Sequence, residues 1–399
     1  MPQAFEGIRI IDFSQVLAAP FAVMQLALLG AEVIKVEQPE GGDQTRGLMN
    51  FGEDLGLSPS FLGMNLNKQS LTLNLKAPEA VEIVKQLVAN ADVVVENFKA
   101  GTMERMGLGF DALKTIKSDL IYCSVTGYGQ TGPKAGEAAY DGAVQAASGM
   151  MSQNGHAETG PTRAGYMPVD MSTALNTAFS IAASLHRKAK TGLGQRIDVA
   201  MMDTAIVMQA SQFSNYLNQG NLVGLRGNSS PTQQPTANVF ATSDSYIQIT
   251  ALRQQQVEKL FEAIGETEKL TLEAFATPES RIKNGETVGE LVAAAIKTET
   301  TTHWLDKLAA LGIPTAEIRE LPEVMEDPQF ENREVFETLP HPADPTREFT
   351  VVKAGYMLDA DGPAVRNTPP LLGQNTQEIL ESLGFDAEKI EGLKQNGVC

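Results

Sequence analysis

Short apolar runs alternate with longer amphipathic segments over the first two hundred residues. Gly7-Ile-Arg-Ile-Ile-Asp-Phe13, Glu32-Val-Ile-Lys-Val-Glu37, Ala91-Asp-Val-Val-Val-Glu96 and Leu120-Ile-Tyr-Cys-Ser-Val125 are too short for helices and read as buried strands. Leu71, Leu73 and Leu75 alternate within Asn67–Lys76, the signature of a half-buried strand. Between these lie helical patterns at about Pro20–Leu29, Pro78–Asn90 and Asp111–Lys117, with Pro20 at an N1-like position and Gly30 as a stop. Strand and helix in this alternation predict right-handed βαβ units and a parallel α/β domain.

The longest helical pattern follows Pro168. Ala174, Leu175, Ala178, Ile181, Ala182 and Leu185 form one stripe, which should face a core. Ser172, Thr173, Thr177, Ser180, Ala183 and Ser184 form a face small enough for a second element to approach closely. His186, Arg187, Lys188 and Lys190 suit the helix C-terminus, and Gly192 can end it. Pro168 disfavours an earlier start, which puts Asp170 at or near the N-cap. Two roles follow for Asp170. As a cap it contributes about 1 kcal/mol and nothing more. As an ionised carboxylate facing a cleft it is a nucleophile, with backbone N–H groups nearby for a developing oxyanion. The residue pattern leaves both open.

After Gly192 the character changes. Gly194–Asp203 reads as a strand entering a helix, and 209–235, rich in Gln, Asn, Ser and Gly, as a connector. A smaller α+β domain is expected over 236–330, with strands at Tyr246–Thr250 and Thr315–Arg319 and a helix at about Gln254–Ile264. Residues 331–399 hold a Pro-rich passage, a strand at Phe349–Lys353 and two short helices, capped by Asn375 or Thr376 and by Asp386.

Composition narrows the chemistry. The 399 residues suggest two or three domains. A net charge of −18 disfavours nucleic-acid and anionic-membrane partners, but leaves room for an anionic small ligand at a local basic patch. Two cysteines give no disulfide framework, and four scattered histidines predict no metal site. No leader pattern or 18-residue apolar run appears, so a cytoplasmic location is expected. Glu37 stands where a ribose-binding acid would, yet Ser14–Pro20 lacks the glycines of a dinucleotide fingerprint, so no NAD or FAD is expected. The glycine-bearing loops Gly41–Gly47, Asn97–Gly101 and Gly127–Pro133 are the better ligand-facing candidates.

Taken together, the blocks resemble the family III CoA-transferases. These are Gly7–Ser14 with Ala19-Pro20, Leu29–Glu37 with Gly42–Arg46, Asn67-Lys68 with Ser70, Val95–Phe98, Arg105–Gly107, Ser124–Gly129, Lys190–Gln195, Asp327–Phe330 and Pro369–Gly373. The resemblance implies a Rossmann-like large domain (1–208, the CoA-binding part, completed by the return segment 331–399), an inserted small domain and an interlocked homodimer. It places the catalytic carboxylate on Asp170, which would carry mixed-anhydride and aspartyl-CoA thioester intermediates as CoA moves from an acyl-CoA to a carboxylic acid. It points to Leu17, Ala18, Gln38, Leu73, Asn74, Leu75, Lys76, Asn97, Phe98, Lys99 and Arg105 for coenzyme A. Leu17 and Gln38 depart from the formyl-CoA enzyme, in which a Gln stands at the first position, and from relatives with a cation at the second. The α-methylacyl-CoA racemases share the fold but use a His-Asp pair, where this chain has Tyr140-Asp141. A non-catalytic acyl-CoA binder would have no need of the Asp170 carboxylate.

Overall fold

The computed structural model describes residues 2–48 and 57–399. The chain forms two compact units: residues 1–150, 164–221 and 329–399 make the first, and 151–163 with 222–328 the second. Residues 49–56, in the polar segment after Gly47, lie outside the described residues.

The first unit is built on a six-stranded sheet. Its strands are β1 (Arg9–Asp12), β2 (Glu32–Glu37), β3 (Lys68–Thr72), β4 (Val93–Glu96), β5 (Ile121–Thr126) and β6 (Gln195–Ala200). All are parallel, in the order β3-β2-β1-β4-β5-β6. Central strands of such a sheet are covered on both faces, so they read as continuous apolar runs rather than alternations. Successive strands run outward from β1 in one direction, then outward from β4 in the other. The loops leaving β1 and β4 therefore diverge and open a crevice at the carboxyl ends of the strands.

The longer helices that accompany these strands are α1 (Ala18–Leu28), α2 (Pro78–Ala89), α3 (Phe110–Ile116), α4 (Asp141–Ala147), α5 (Pro168–Thr191), α6 (Met201–Met208) and α7 (Ala210–Gln219). Apart from Gln25, whose side chain donates to the Lys353 carbonyl, helix α1 is apolar, and all its residues are buried. It starts at Ala18, so Pro20 is its third residue, where the missing N–H still costs no intrahelical bond. Val23 and Leu26 pack with Ile10 and Val93 of the sheet and with Ile181 and Leu185 of α5. Phe21 and Met24 pack with Ala174 of α5.

The buried face of α5 differs from the expected stripe. Thr173, Ala174, Thr177, Ile181, Ser184 and Leu185 are buried, whereas Leu175 is 58% exposed. The hydroxyls of Thr177 and Ser184 donate to the carbonyls of Thr173 and Ser180 at 2.7 Å. Satisfied within the helix, they are cheap to bury, and their small size admits neighbouring elements.

A balanced group of buried charges locks the strand ends. Lys68 Nζ lies 2.9 Å from Asp12 Oδ2, Lys35 Nζ 2.9 Å from Asp43 Oδ2, and Arg46 Nη2 2.7 Å from Glu37 Oε2. The first two pairs are wholly inaccessible to solvent. Lys35 Nζ also donates to the Ser14 carbonyl, and Ser70 Oγ to Glu37. Burial pulls the Lys68 ammonium down to about 8 against the opposing pull of Asp12. Burial opposes ionisation of Asp43 too, but Lys35 and the Thr45 amide hold its carboxyl below the usual range. Asp43 Oδ1 accepts from the amides of Val16 and Thr45. The first of these bonds pins Val16 at φ 71°, a left-handed conformation that strains a β-branched residue.

In the second unit, β7 (Ala237–Ala241), β8 (Tyr246–Thr250) and β9 (Thr315–Glu317) form an antiparallel sheet in the order β9-β8-β7. Helices α8 (Gln254–Ala263), α9 (Gly285–Ile296) and α10 (Thr301–Ala310) share its core through Val257, Phe261, Val288 and Trp304. The strand β7 was not evident in the sequence, and the expected strand at Thr315–Arg319 ends at Glu317. The expected connector over 209–235 is in part helical, since α7 occupies Ala210–Gln219 and ends at Gly220 in the left-handed region.

Within the first unit the chain's last segment opens with the antiparallel pair β10 (Phe336–His341) and β11 (Asp344–Val352). Helices α11 (Thr376–Ser382) and α12 (Ala387–Gln395) follow. Asn67 Oδ1 accepts the amides of Arg366 and Asn367, and Asn375 Oδ1 accepts that of Ser70. Ile379, Leu380, Ile390 and Leu393 then complete a core with Leu71, Leu73 and Val84. Among the described residues, no helix is long and apolar enough to cross a membrane.

Candidate active site

The crevice at the strand ends holds a cavity of about 350 Å³. Its walls are Gln15–Ala18 after β1, Asn97–Ala100 after β4, Val125–Tyr128 at the end of β5, Gly136–Tyr140 ahead of α4, and Met201 after β6. Asp170 closes it. The two central loops hold each other: Asn97 Oδ1 accepts the Gln15 amide at 2.9 Å, and Asn97 Nδ2 donates to the Gln15 carbonyl at 2.7 Å. Gly127 allows the wall after β5 to meet the Ala139 segment, because a Cβ at that position would lie 2.2 Å from the Ala139 Cβ.

Helix α5 brings Asp170 to this cavity. Pro168, Val169 and Asp170 are its first three residues and Met167 is its N-cap, without a side-chain capping bond. Asp170 is therefore not the cap; proline suits the first helical position and starts the helix two residues ahead of it. The capping carboxylate comes from another helix. Asp141, the first residue of α4, accepts the Val169 and Asp170 amides on Oδ2 at 2.8 and 3.1 Å. Gln145, one turn along α4, donates to Asp141 Oδ1 and accepts the Ala164 amide at 2.9 Å. Asp141 is 5% exposed.

The positive end of α5 is thus already answered by one carboxylate when the second arrives. Burial and the nearby negative charge of Asp141 push the Asp170 carboxyl from its ordinary 3.8 up to about 6. It remains mostly ionised at neutral pH, as the sequence suggested, but as a more basic carboxylate than a helix terminus alone would give. A basic carboxylate beside uncommitted space is suited to attack an electrophilic carbonyl.

The structure gathers Leu17, Ala18, Asn97, Phe98, Lys99 and Asp170 around one cavity. The other residues singled out from the sequence lie outside its lining. Leu73 is a core side chain, and its amide donates to the Glu37 carbonyl. Asn74 donates to the Gly397 carbonyl, Leu75 packs on the core, and Lys76 is exposed. Gln38 is exposed and donates to the Gly42 carbonyl. Arg105 is exposed, with its guanidinium donating to Thr102 Oγ1. Sequence reading did not single out Gln15, Tyr128, Glu137 or Met201, although the glycine-bearing run from Gly127 had marked that wall as ligand-facing.

Comparison with known proteins identifies the family. Residues 5–376 match the model of CoA-transferase family III. The chain is 36% identical over 405 residues to the succinyl-CoA:glutarate CoA-transferase of Mus musculus, covering 98% of this chain and 89% of the relative. It is 34% identical to the succinyl-CoA:mesaconate CoA-transferase of Haloarcula marismortui, with 96% and 97% covered. It is 33% identical to the formyl-CoA:oxalate CoA-transferase of Streptomyces avermitilis, with 100% of both chains covered. The crystal structure of a CAIB/BAIF family protein from Brucella suis superposes with a TM-score of 0.85 at 32% identity, covering 96% of this chain and 100% of that one.

Proposed function

The chain belongs to CoA-transferase family III, and from that membership we propose that Asp170 is the nucleophile of a stepwise CoA transfer. The observation that carries the proposal is a basic, partly buried carboxylate at the cavity formed where the sheet's loops diverge. In the first step an Asp170 oxygen attacks the acyl-CoA carbonyl and the C–S bond breaks, giving a mixed anhydride and CoA thiolate. The thiolate then attacks the aspartyl carbonyl and releases the donor acid, leaving an aspartyl-CoA thioester. An acceptor carboxylate attacks that thioester and frees the thiolate again. The thiolate finally takes the acceptor's acyl group and restores the Asp170 carboxylate. No net proton is consumed, and the thioester energy is kept through covalent bonds. The loop amides around Leu17 and Ala18 are suited to receive the charge developing on the carbonyl oxygen.

The relatives named for succinyl-CoA with glutarate or mesaconate favour a dicarboxylate acceptor and a short dicarboxylyl-CoA donor. Asn97–Lys99 would line the path of the pantetheine arm, with Arg105 and Lys76 available to the phosphates. With succinyl-CoA and glutarate as substrates, Arg105→Ala should raise the KM for the CoA ester roughly tenfold, the scale of about 1.5–3 kcal/mol for a hydrogen bond to a charged group. A KM within twofold of wild type removes Arg105 from the CoA site.

We also propose that the working unit is an interlocked homodimer. Leu175 and Phe179 of α5, Val207 of α6 and Leu217 of α7 are 58%, 74%, 64% and 76% exposed, an apolar display that a second copy would cover. Light scattering at micromolar concentration should give twice the 42.8 kDa chain mass. A monomer overturns this part of the reading.

A further inference from the structure

The contact between α4 and the start of α5 ties two carboxylates to one turn, and only one of them faces the reaction cavity. Asp141 spends Oδ2 on the Val169 and Asp170 amides and Oδ1 on Gln145. The Gln145 amide is held in turn by the Ala164 N–H, on the segment that leads into α5. This chain of bonds fixes the orientation of the Asp141 carboxylate as well as the backbone that carries Asp170.

Resting on the assignment of Asp170 as nucleophile, we propose that Asp141 is its positioning residue, holding the catalytic turn in register and setting the charge environment of the attacking carboxylate. An isolated helix N-terminus withdraws negative charge from a carboxylate in its first turn and makes it a weaker nucleophile. Asp141 occupies those amides instead, and adds a negative charge of its own beside Asp170. Both effects act in one direction: they favour a more basic, more nucleophilic Asp170.

Other charged groups do not account for the same effect. Helix α1 and strand β5, which pack against α5, carry no charged side chain. Strand β6 carries Arg196, whose guanidinium faces Glu104, and Asp198, which accepts the Gln130 amide. Helix α6 carries the exposed Asp203, while α5 itself has no other acid in its first turn. Lys99, Tyr128, Glu137 and Tyr140 line the cavity, but burial and Asp141 are what shift the Asp170 carboxyl.

The test is the pH profile of kcat for CoA transfer, from pH 5 to 8, in the full-length protein. Wild type should lose activity on an acid limb centred near pH 6, as Asp170 takes up a proton. Asp141→Asn keeps an oxygen for the amides and removes the charge, so its limb should move down by roughly half a unit or more. Asp141→Ala removes the anchor as well and should lower kcat by about tenfold or more while KM changes little, since the ground-state contacts with CoA are untouched. Asp141→Glu retains the charge, so its limb should stay at the wild-type position while kcat falls. This third variant keeps the proposal open to refutation if Asp141→Asn does not fold. An unshifted limb in Asp141→Asn, a shifted limb in Asp141→Glu, or full kcat in Asp141→Ala overturns it. Those results leave the nucleophile assignment intact, whereas an active Asp170→Asn would remove that assignment itself.

Discussion

Asp170→Asn should lose CoA transfer by a factor on the order of 10⁴ or more, the scale on which removal of a covalent nucleophile acts. An amide does not displace a thiolate from a thioester at neutral pH. The same variant should be at least as stable as wild type at pH 7.5, and the sign follows from the titration. The folded-state carboxyl titrates near 6 against an ordinary 3.8, because burial and then Asp141 oppose its charge. Asp170 therefore favours folding below about pH 4, and that contribution is lost as pH rises through 6. Above that range its charge opposes folding. Asn carries no charge to desolvate and leaves the Asp141 cap in place. Thermal melts of the two proteins should thus converge toward pH 4, with the variant equal or higher at pH 7.5. A variant that loses both activity and several degrees of stability at pH 7.5 would contradict this account of the site.

The second large effect lies away from the chemistry. Asp43→Ala should destabilise the protein by roughly 3–5 kcal/mol, the usual consequence of leaving a buried partner charge uncompensated. Lys35 would keep the weaker attraction of Asp12 and Glu37 but lose its direct ion-pair partner. The amides of Val16 and Thr45 would lose their acceptor, and the strained turn at Val16 would lose its clamp. Because that turn walls the cavity, whatever folded protein remains should also bind CoA esters more weakly. Urea unfolding measures the first effect, and the KM for the CoA ester the second. A loss below 1 kcal/mol would mean that the charge network around β1 and β2 is not what fixes the loop.

These two residues differ in how far the sequence reveals them. Apolar runs were enough to locate the four central strands of the large sheet, because central parallel strands are apolar on both faces, while the edge strands β3 and β6 showed as an alternation and as a strand entering a helix. Asp170 stood out through its place after Pro168, although a proline at the first helical position made it the third residue and not the cap. Asp141 was marked only as part of the Tyr140-Asp141 pair that stands in place of the racemases' His-Asp: its role toward Asp170 arises from a contact across 29 positions that no local pattern encodes. The same holds for Lys68 and Asp12, 56 positions apart, whose pairing no local pattern encodes and whose charges are fully buried in the fold. The blocks that resemble the family's motifs at Asp12, Gly42–Arg46 and Lys68–Ser70 thus have a physical content of their own. They build the ion network that shapes the loops, and only some of their neighbours reach the cavity.

Local hydrophobicity misjudged α5 in a second way. Leu175 looked like a core residue but is 58% exposed, whereas Thr173, on the small-residue face expected to admit a second element, is buried. Once the hydroxyls of α5 bond within the helix, size governs which face can lie against a neighbour. Helix α7 escaped for a related reason: its Gln- and Asn-rich sequence resembles loop composition, and none of its residues is buried in the single chain.

The central claim is that the carboxylate of Asp170 becomes covalently attached during turnover. Intact and peptide mass spectra of the wild-type protein, quenched in acid after incubation with succinyl-CoA and no acceptor, test it most directly. The account predicts a CoA or succinyl adduct confined to the peptide containing Asp170, discharged by adding glutarate and absent from Asp170→Asn. An adduct on any other residue, or an identical adduct in Asp170→Asn, would contradict it.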